Sequence, residues 1–158
     1  MNKEKQFIEE FALYFEGTGF MRMTGRVLAW LLICDPPHQS MNQLVEMLQA
    51  SKSSISTSTR HLIEARFVER VSLPGERRDY YRLRSNFASA SFNRFIARIS
   101  GFGKFAGQWL SVLEGTSATR LQRLEEMRDM HMLMGNEMPK FLKLWEQDSL
   151  QKKGGKNE

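Results

Sequence analysis

The chain has 158 residues, 41% hydrophobic and 26% charged, with a formal net charge of +5. That size allows one compact domain plus an extension around a modest core, and the apolar fraction excludes a disordered chain. No apolar run approaches the roughly 20 residues of a membrane-spanning helix, because Val27 to Cys34 stops at Asp35-Pro36-Pro37.

The first six residues, Met1-Asn2-Lys3-Glu4-Lys5-Gln6, carry charges of both signs and lead into an amphipathic pattern instead of a signal-peptide apolar stretch. The expectation is a soluble, cytoplasmic protein. Phe7, Ile8, Phe11, Ala12 and Phe15 recur at helical spacing until Gly17-Thr18-Gly19 breaks the pattern. This predicts a helix within residues 1–16, used for packing or for a dimer. A second helix is expected from Met21 to Cys34, burying Val27, Leu28, Leu31 and Leu32 and stopped by Pro36-Pro37. Cys34 is the lone cysteine and reads as a small buried core residue.

Ser40 followed by Gln43 has the form of a capping box, and Leu44, Val45 and Leu48 supply the buried stripe of a short third helix ending near Gln49-Ala50. Ser51 then caps a fourth helix running to about Arg66. Two short helices joined by so tight a turn are a helix-turn-helix signature. Phe67 to Leu73 and Asp79 to Arg84 are rich in strand formers and flank Pro74-Gly75-Glu76-Arg77-Arg78, which predicts a β-hairpin with a basic tip, placed as the wing of a winged helix. The whole unit is expected at residues 17–85.

Residues 86–150 return to helix. Phe92, Phe95, Ile99, Phe102, Ala106, Trp109 and Leu113 form one series, and Leu124, Met127, His131, Met134, Met138, Phe141 and Trp145 a second. The second reads as a seam awaiting another copy of the chain, with Pro139 expected to kink or divide it near Asn136 to Met138. Residues 151–158, with Gly154-Gly155 and several lysines, are expected to be a disordered tail. The fold class is mainly α with a small β-hairpin wing, a winged helix-turn-helix followed by long dimerisation helices.

Charge clusters where this architecture needs it. From Ser51 to Arg84 eight basic residues face four acidic ones, an electrostatic footprint for a polyanion. On a helical wheel with Ile55 and Leu62 inward, Ser53, Thr57, Arg60 and Glu64 point outward, flanked by Ser54, Ser56 and His61. Short hydroxyl side chains let a helix backbone approach a major groove, while Arg60 can pair bidentately with guanine. Ser51, Lys52, Ser53 and Ser54 lie at the positive end of the helix, where amides attract phosphate. The plainer alternative is a solvated helix face. Six hydroxyl residues in eight (Ser51, Ser53, Ser54, Ser56, Thr57, Ser58) nevertheless sacrifice helix propensity that Ala, Glu or Lys would supply, which favours contact with double-stranded DNA. Arg77 and Arg78 are either loop charges kept for solubility or contacts to an adjacent minor groove, and their place beside the recognition helix favours contact.

Other motifs lead to structure. His131 has no Cys, His or carboxylate partners at metal spacing and reads as packing. Gly101-Phe102-Gly103 with Gly107 does not match a dinucleotide fingerprint and reads as close helix approach. With no nucleophile elbow, P-loop or paired-His motif, nothing points to an enzyme, a cofactor or a metal.

Gly25-Arg26-Val27-Leu28, Ser51-Lys52-Ser53-Ser54-Ile55-Ser56 and Val71-Ser72-Leu73-Pro74-Gly75-Glu76-Arg77-Arg78-Asp79-Tyr80-Tyr81 carry a resemblance to the MarR-type winged-helix regulators, in particular the branch of the glycine betaine synthesis repressor. It spans Gly17 to Leu83. The resemblance implies a homodimer that reads a roughly palindromic operator, usually as a repressor, and in that branch a small-molecule effector held in an aromatic cage for a quaternary ammonium group. Phe102, Phe105 and Trp109 are the ligand-pocket candidates, with packing as the competing reading. A winged helix used as a protein-interaction module, its basic face meeting an acidic partner without DNA, is the alternative function.

Overall fold

The structure is a computed structural model that describes residues 3–113, 115 and 117–154. They form two compact units that part between Phe87 and Ala88. The first holds helices α1 (Lys3–Glu16) and α2 (Arg22–Ile33), strand β1 (Gln39–Ser40), helices α3 (Met41–Leu48) and α4 (Lys52–Glu64), and strands β2 (Val68–Ser72) and β3 (Asp79–Leu83). Helices α5 (Phe87–Val112) and α6 (Ala118–Gly154) make up the second.

Local sequence sets the helix ends. The Ser40 hydroxyl accepts from Gln43 N at 3.4 Å while Gln43 Oε1 accepts from Ser40 N at 2.8 Å, so the capping box closes in both directions and starts α3. Gln49 ends that helix in the left-handed region, φ 49°, and only Ala50 separates it from Ser51, the N-cap of α4. At the far end of α4, Arg66 is again left-handed, φ 61°, which turns the chain straight into β2.

The sheet is antiparallel in the order β1-β3-β2. Strands β2 and β3 pair from Val68↔Leu83 to Ser72↔Asp79. The hairpin tip is a turn in which Glu76 N donates to Leu73 O at 3.1 Å, with Pro74 in its second position and Gly75, φ +80°, in its third. Proline and a positive-φ glycine at those places are what a type II turn demands. Strand β1 is absent from the sequence expectation. Its two residues pair with Tyr80 and Tyr81, too short a run to show alternation, and they pin the hairpin to the start of α3.

Leu28, Leu44, Leu48, Ile55, Leu62 and Val68 are almost wholly buried and form the centre of the first unit. Phe15, Phe20, Phe67 and Phe87 continue it as a chain of rings, with Phe15 and Phe20 centroids 4.5 Å apart. Leu32, expected inside, is exposed together with Ile33, because the last turn of α2 sends only Leu31 and Cys34 inward.

In the second unit, Ile96, Ile99, Ala106 and Leu110 of α5 and Leu142 of α6 are buried. Gly103 lets α6 approach, since a Cβ there would stand 3.0 Å from Met132 Sδ. Gly101 faces open space and Gly107 has only Arg128 Cδ at 3.8 Å, so the close approach expected of all three belongs to one. Pro139 does not divide α6, whose 37 residues run through it. A proline removes one backbone bond, and helix continues on both sides. Residues 151–154, expected in the tail, belong to α6, and residues 155–158 lie outside the described residues.

Candidate nucleic-acid interface

Helix α4 is amphipathic with an apolar inner face of Ile55 and Leu62. Ser58 and Thr59 join that buried face, which rotates the outer one away from the expected position. Lys52, Ser53, Ser56, Arg60 and Glu64 are exposed, whereas Thr57, Ser54 and His61 stand half-buried along one edge. Ser58 therefore does not belong to the hydroxyl-rich outer surface, and Thr57 reaches it only from the side. Thr59 turns its hydroxyl back to Ser56 O at 3.0 Å. Ser51 is exposed and spends its hydroxyl on the cap, accepting from Ser54 N at 3.2 Å and lying 3.0 Å from the Ser53 hydroxyl. What remains along the exposed side of α4 is a polar face with two cations, Lys52 in its first turn and Arg60 two turns on, that have no ion pair among the described residues.

The wing carries its charge differently. Arg82 Nε meets Glu69 Oε1 at 2.8 Å, directly across the strand register, and Arg70 meets Asp79 at 3.3 Å. At the tip Arg78 Nε lies 2.9 Å from Glu76 Oε2. Arg77, also exposed, has no ion pair among the described residues. Three of the four acidic residues in this segment thus neutralise arginines of the hairpin, which leaves Lys52, Arg60, Arg66, Arg77 and Arg84 without an ion pair among the described residues, Lys52, Arg60 and Arg77 being those on the expected contact surface. Exposed pairs of this kind contribute little stability, about 0–1 kcal/mol.

Arg26 enters the sequence reading only within the segment Gly25-Arg26-Val27-Leu28, with no role of its own. It sits on α2, and its guanidinium donates to Leu48 O, at the end of α3, at 3.0 Å. A charged residue inside the apolar run of α2 was the available signal. Cys34 is buried as expected, and burial pushes its thiol above the ordinary range.

In the second unit the ligand candidates follow one another along α5. Phe102 and Phe105 centroids are 6.2 Å apart, Phe105 and Trp109 6.3 Å, and both Phe105 and Trp109 are exposed. Phe102 packs on the His131 ring at 4.5 Å, whose Nδ1 lies 2.7 Å from Met127 O. An apolar depression of about 200 Å³ lies elsewhere in this unit, lined by Ala88, Phe92, Phe141, Leu142 and Trp145.

Comparison with known proteins agrees with this geometry. Residues 18–79 match the MarR family model, and residues 86–148 match that of the MmpR5-like MarR family transcriptional regulators. The HTH-type transcriptional regulator MmpR5 of Mycobacterium tuberculosis is 40% identical over 131 residues, covering 83% of this chain and 79% of that protein. A crystal structure of a transcriptional regulator superposes with a TM-score of 0.80 at 37% identity, covering 92% of this chain and 99% of the other. A small three-stranded sheet behind a helix-turn-helix, followed by two long helices, is therefore shared along nearly the whole length, and the chain belongs to the MarR family of winged-helix transcriptional regulators.

Proposed function

We propose that this chain is a homodimeric, sequence-specific DNA-binding repressor acting in the cytoplasm. The observation that carries this reading is the exposed Lys52, Ser53, Ser56 and Arg60 face along α4, followed in the chain by a wing whose Arg77 has no ion pair among the described residues. Helix α4 enters the major groove, Ser51 to Ser54 meet phosphate through the helix terminus, Arg60 reads a base edge, and Arg77 with Arg78 follows the neighbouring minor groove. Thr57 and His61 border the contact.

The dimer reading rests on apolar surface. Val112 is 70% exposed, Leu144 66% and Leu133 61%, more than a lone two-helix unit leaves in water without a partner. Two copies joined there present two recognition helices to a palindromic site.

Fluorescence anisotropy against the DNA upstream of its own gene and a scrambled duplex, over a salt series, tests the DNA reading. Preferential binding with a steep salt slope, about −0.9 per phosphate neutralised, is expected. Equal weak binding to both duplexes turns the reading toward an acidic protein partner.

A ligand-responsive repressor is the second reading, favoured by the aromatic lining of Phe92, Phe141 and Trp145. The three α5 rings proposed as a cage for a quaternary ammonium group lie in sequence along one helix, a poorer enclosure. Titration of tryptophan fluorescence with choline tests both sites, since a cation held on Trp145 or Trp109 quenches it, and loss of the quenching in Trp145→Phe or in Trp109→Phe says which of the two holds it. No change with choline removes the glycine betaine-type effector from the proposal.

A further inference from the structure

The turn that launches the recognition helix is held from outside the helix-turn-helix. Leu48 ends α3, and the last carbonyls of a helix have no donor within it. Arg26 of α2 supplies one to Leu48 O through Nη2, and its positive charge meets the negative end of the α3 dipole. The same guanidinium has an ion partner on its other side: Nε lies 2.8 Å from Glu9 Oε1 of α1, a charge contact whose angle does not make a hydrogen bond. Glu9 Oε2 in turn accepts from Arg22 at 3.4 Å.

Two features make this contact more than a surface ion pair. The Arg26 side chain is only 24% exposed, so water and salt screen it less than an open pair. Beside it, Gly25 brings the two helices together, because a Cβ there would stand 2.9 Å from Ala12 Cα. Helices α1 and α2 thus form one packed body, which shares the apolar core with Leu44, Leu48 and Ile55 and in addition grips the terminal carbonyl of α3 through Arg26. Leu48 is followed by Gln49 and Ala50, then by Ser51, the cap of α4, so a shift of this carbonyl is a shift of the helix that follows.

We propose that Arg26 is a positioning residue for DNA reading: it ties Glu9 of α1 to the carbonyl that ends α3 and thereby sets the angle at which α4 leaves the turn. The inference rests on the DNA-binding reading above. It requires no contact between Arg26 and DNA, and it makes α1 an element whose position is felt at the recognition helix.

Hydrogen–deuterium exchange on the full chain tests the mechanical half without DNA. Arg26→Gln is expected to speed exchange of the amides at positions 49–54 about tenfold, the size of one lost charge-assisted hydrogen bond, and Glu9→Gln, which removes only the ion partner, is expected to speed it in the same direction by less. Glu9→Gln should add nothing in the Arg26→Gln background, because it acts through the same guanidinium. Unchanged exchange in folded variants, or additive effects, overturns the proposal whatever the protein does with DNA. Anisotropy then tests the functional half, with Arg26→Gln expected to cut the operator-to-scrambled affinity ratio about tenfold while the salt slope holds. A loss equal for both duplexes with a shallower slope would instead make Arg26 a phosphate contact and sink the positioning role. If Arg26→Gln does not fold, Arg26→Lys decides. One ammonium cannot bridge Glu9 and Leu48 O in the same fork geometry, so intermediate exchange and an intermediate ratio are expected, and wild-type values for both overturn the idea.

Discussion

The absence of a side chain at position 25 sets how closely α1 and α2 pack. Placing a methyl there demands a 2.9 Å contact with Ala12 Cα and a 3.2 Å contact with Ala12 O, both backbone atoms that cannot rotate away. Gly25→Ala is expected to lower unfolding stability by about 2 kcal/mol, despite the helix propensity gained. Gly101→Ala, a helical glycine in open space, should raise it by up to about 1 kcal/mol. Urea denaturation of the pair checks both signs. Cys34 gives a chemical reading of the same core. Its thiol is pushed up by burial, so iodoacetamide should label it slowly in the native protein at pH 8 and rapidly in denaturant. A raised folded-state value also means that its contribution to stability is intact below the ordinary thiol range and is lost as pH climbs through the folded value. Thermal melts at pH 7 and pH 10 should differ in that direction.

At the scale of elements, the proposed recognition surface is divided unequally between α4 and the wing. Arg60→Ala removes a candidate base contact and should reduce discrimination between operator and scrambled DNA about tenfold or more. Lys52→Ala and Arg77→Ala should weaken both duplexes alike and flatten the salt slope by about one unit each. Arg78 already has Glu76 at 2.9 Å, so Arg78→Ala should cost less than Arg77→Ala, since the wild-type residue must first give up that partner. The salt-resolved anisotropy series reads all four. These expectations come from local sequence, yet only packing showed which hydroxyls face outward. From sequence alone Ser58 counts with the hydroxyls of the contact face and Thr59 is not placed, whereas both are buried and Thr57 stands at the edge.

For the whole molecule, the second unit poses the question of assembly. Helix α6 leaves large apolar side chains in water, with Met130 58% and Leu133 61% exposed at i, i+3 spacing on one face, and such a stripe calls for cover. Met130→Glu with Leu133→Glu should leave helix content intact, as both side chains stand clear of the unit's own core. The same pair should weaken self-association about a hundredfold by placing charge in an apolar interface. Sedimentation equilibrium of wild type and variant measures this, and a wild-type monomer at micromolar concentration would remove the homodimer from the proposal.

Sequence alone determined what depends on near neighbours along the chain. The Ser40–Gln43 box, the Ser51 cap, the Pro74-Gly75 turn and the 3,4 spacing of α1, α2 and α4 are local chemistry, and each stands at its expected place. The family also follows from such signals, because a helix-turn-helix with a wing is a linear arrangement of them. Tertiary structure decided what depends on groups far apart in the chain. The pairing of Gln39-Ser40 with Tyr81-Tyr80, the hold of Arg26 on Leu48 O and the choice of Gly103 over Gly101 as the close approach have no periodicity to betray them. The passage of α6 through Pro139 and on to Gly154 is of the same kind, since a breaker's local cost was outweighed by the continuity of a long helix. Short-range rules rank the options for each segment, and the free energy of bringing distant segments together selects among them.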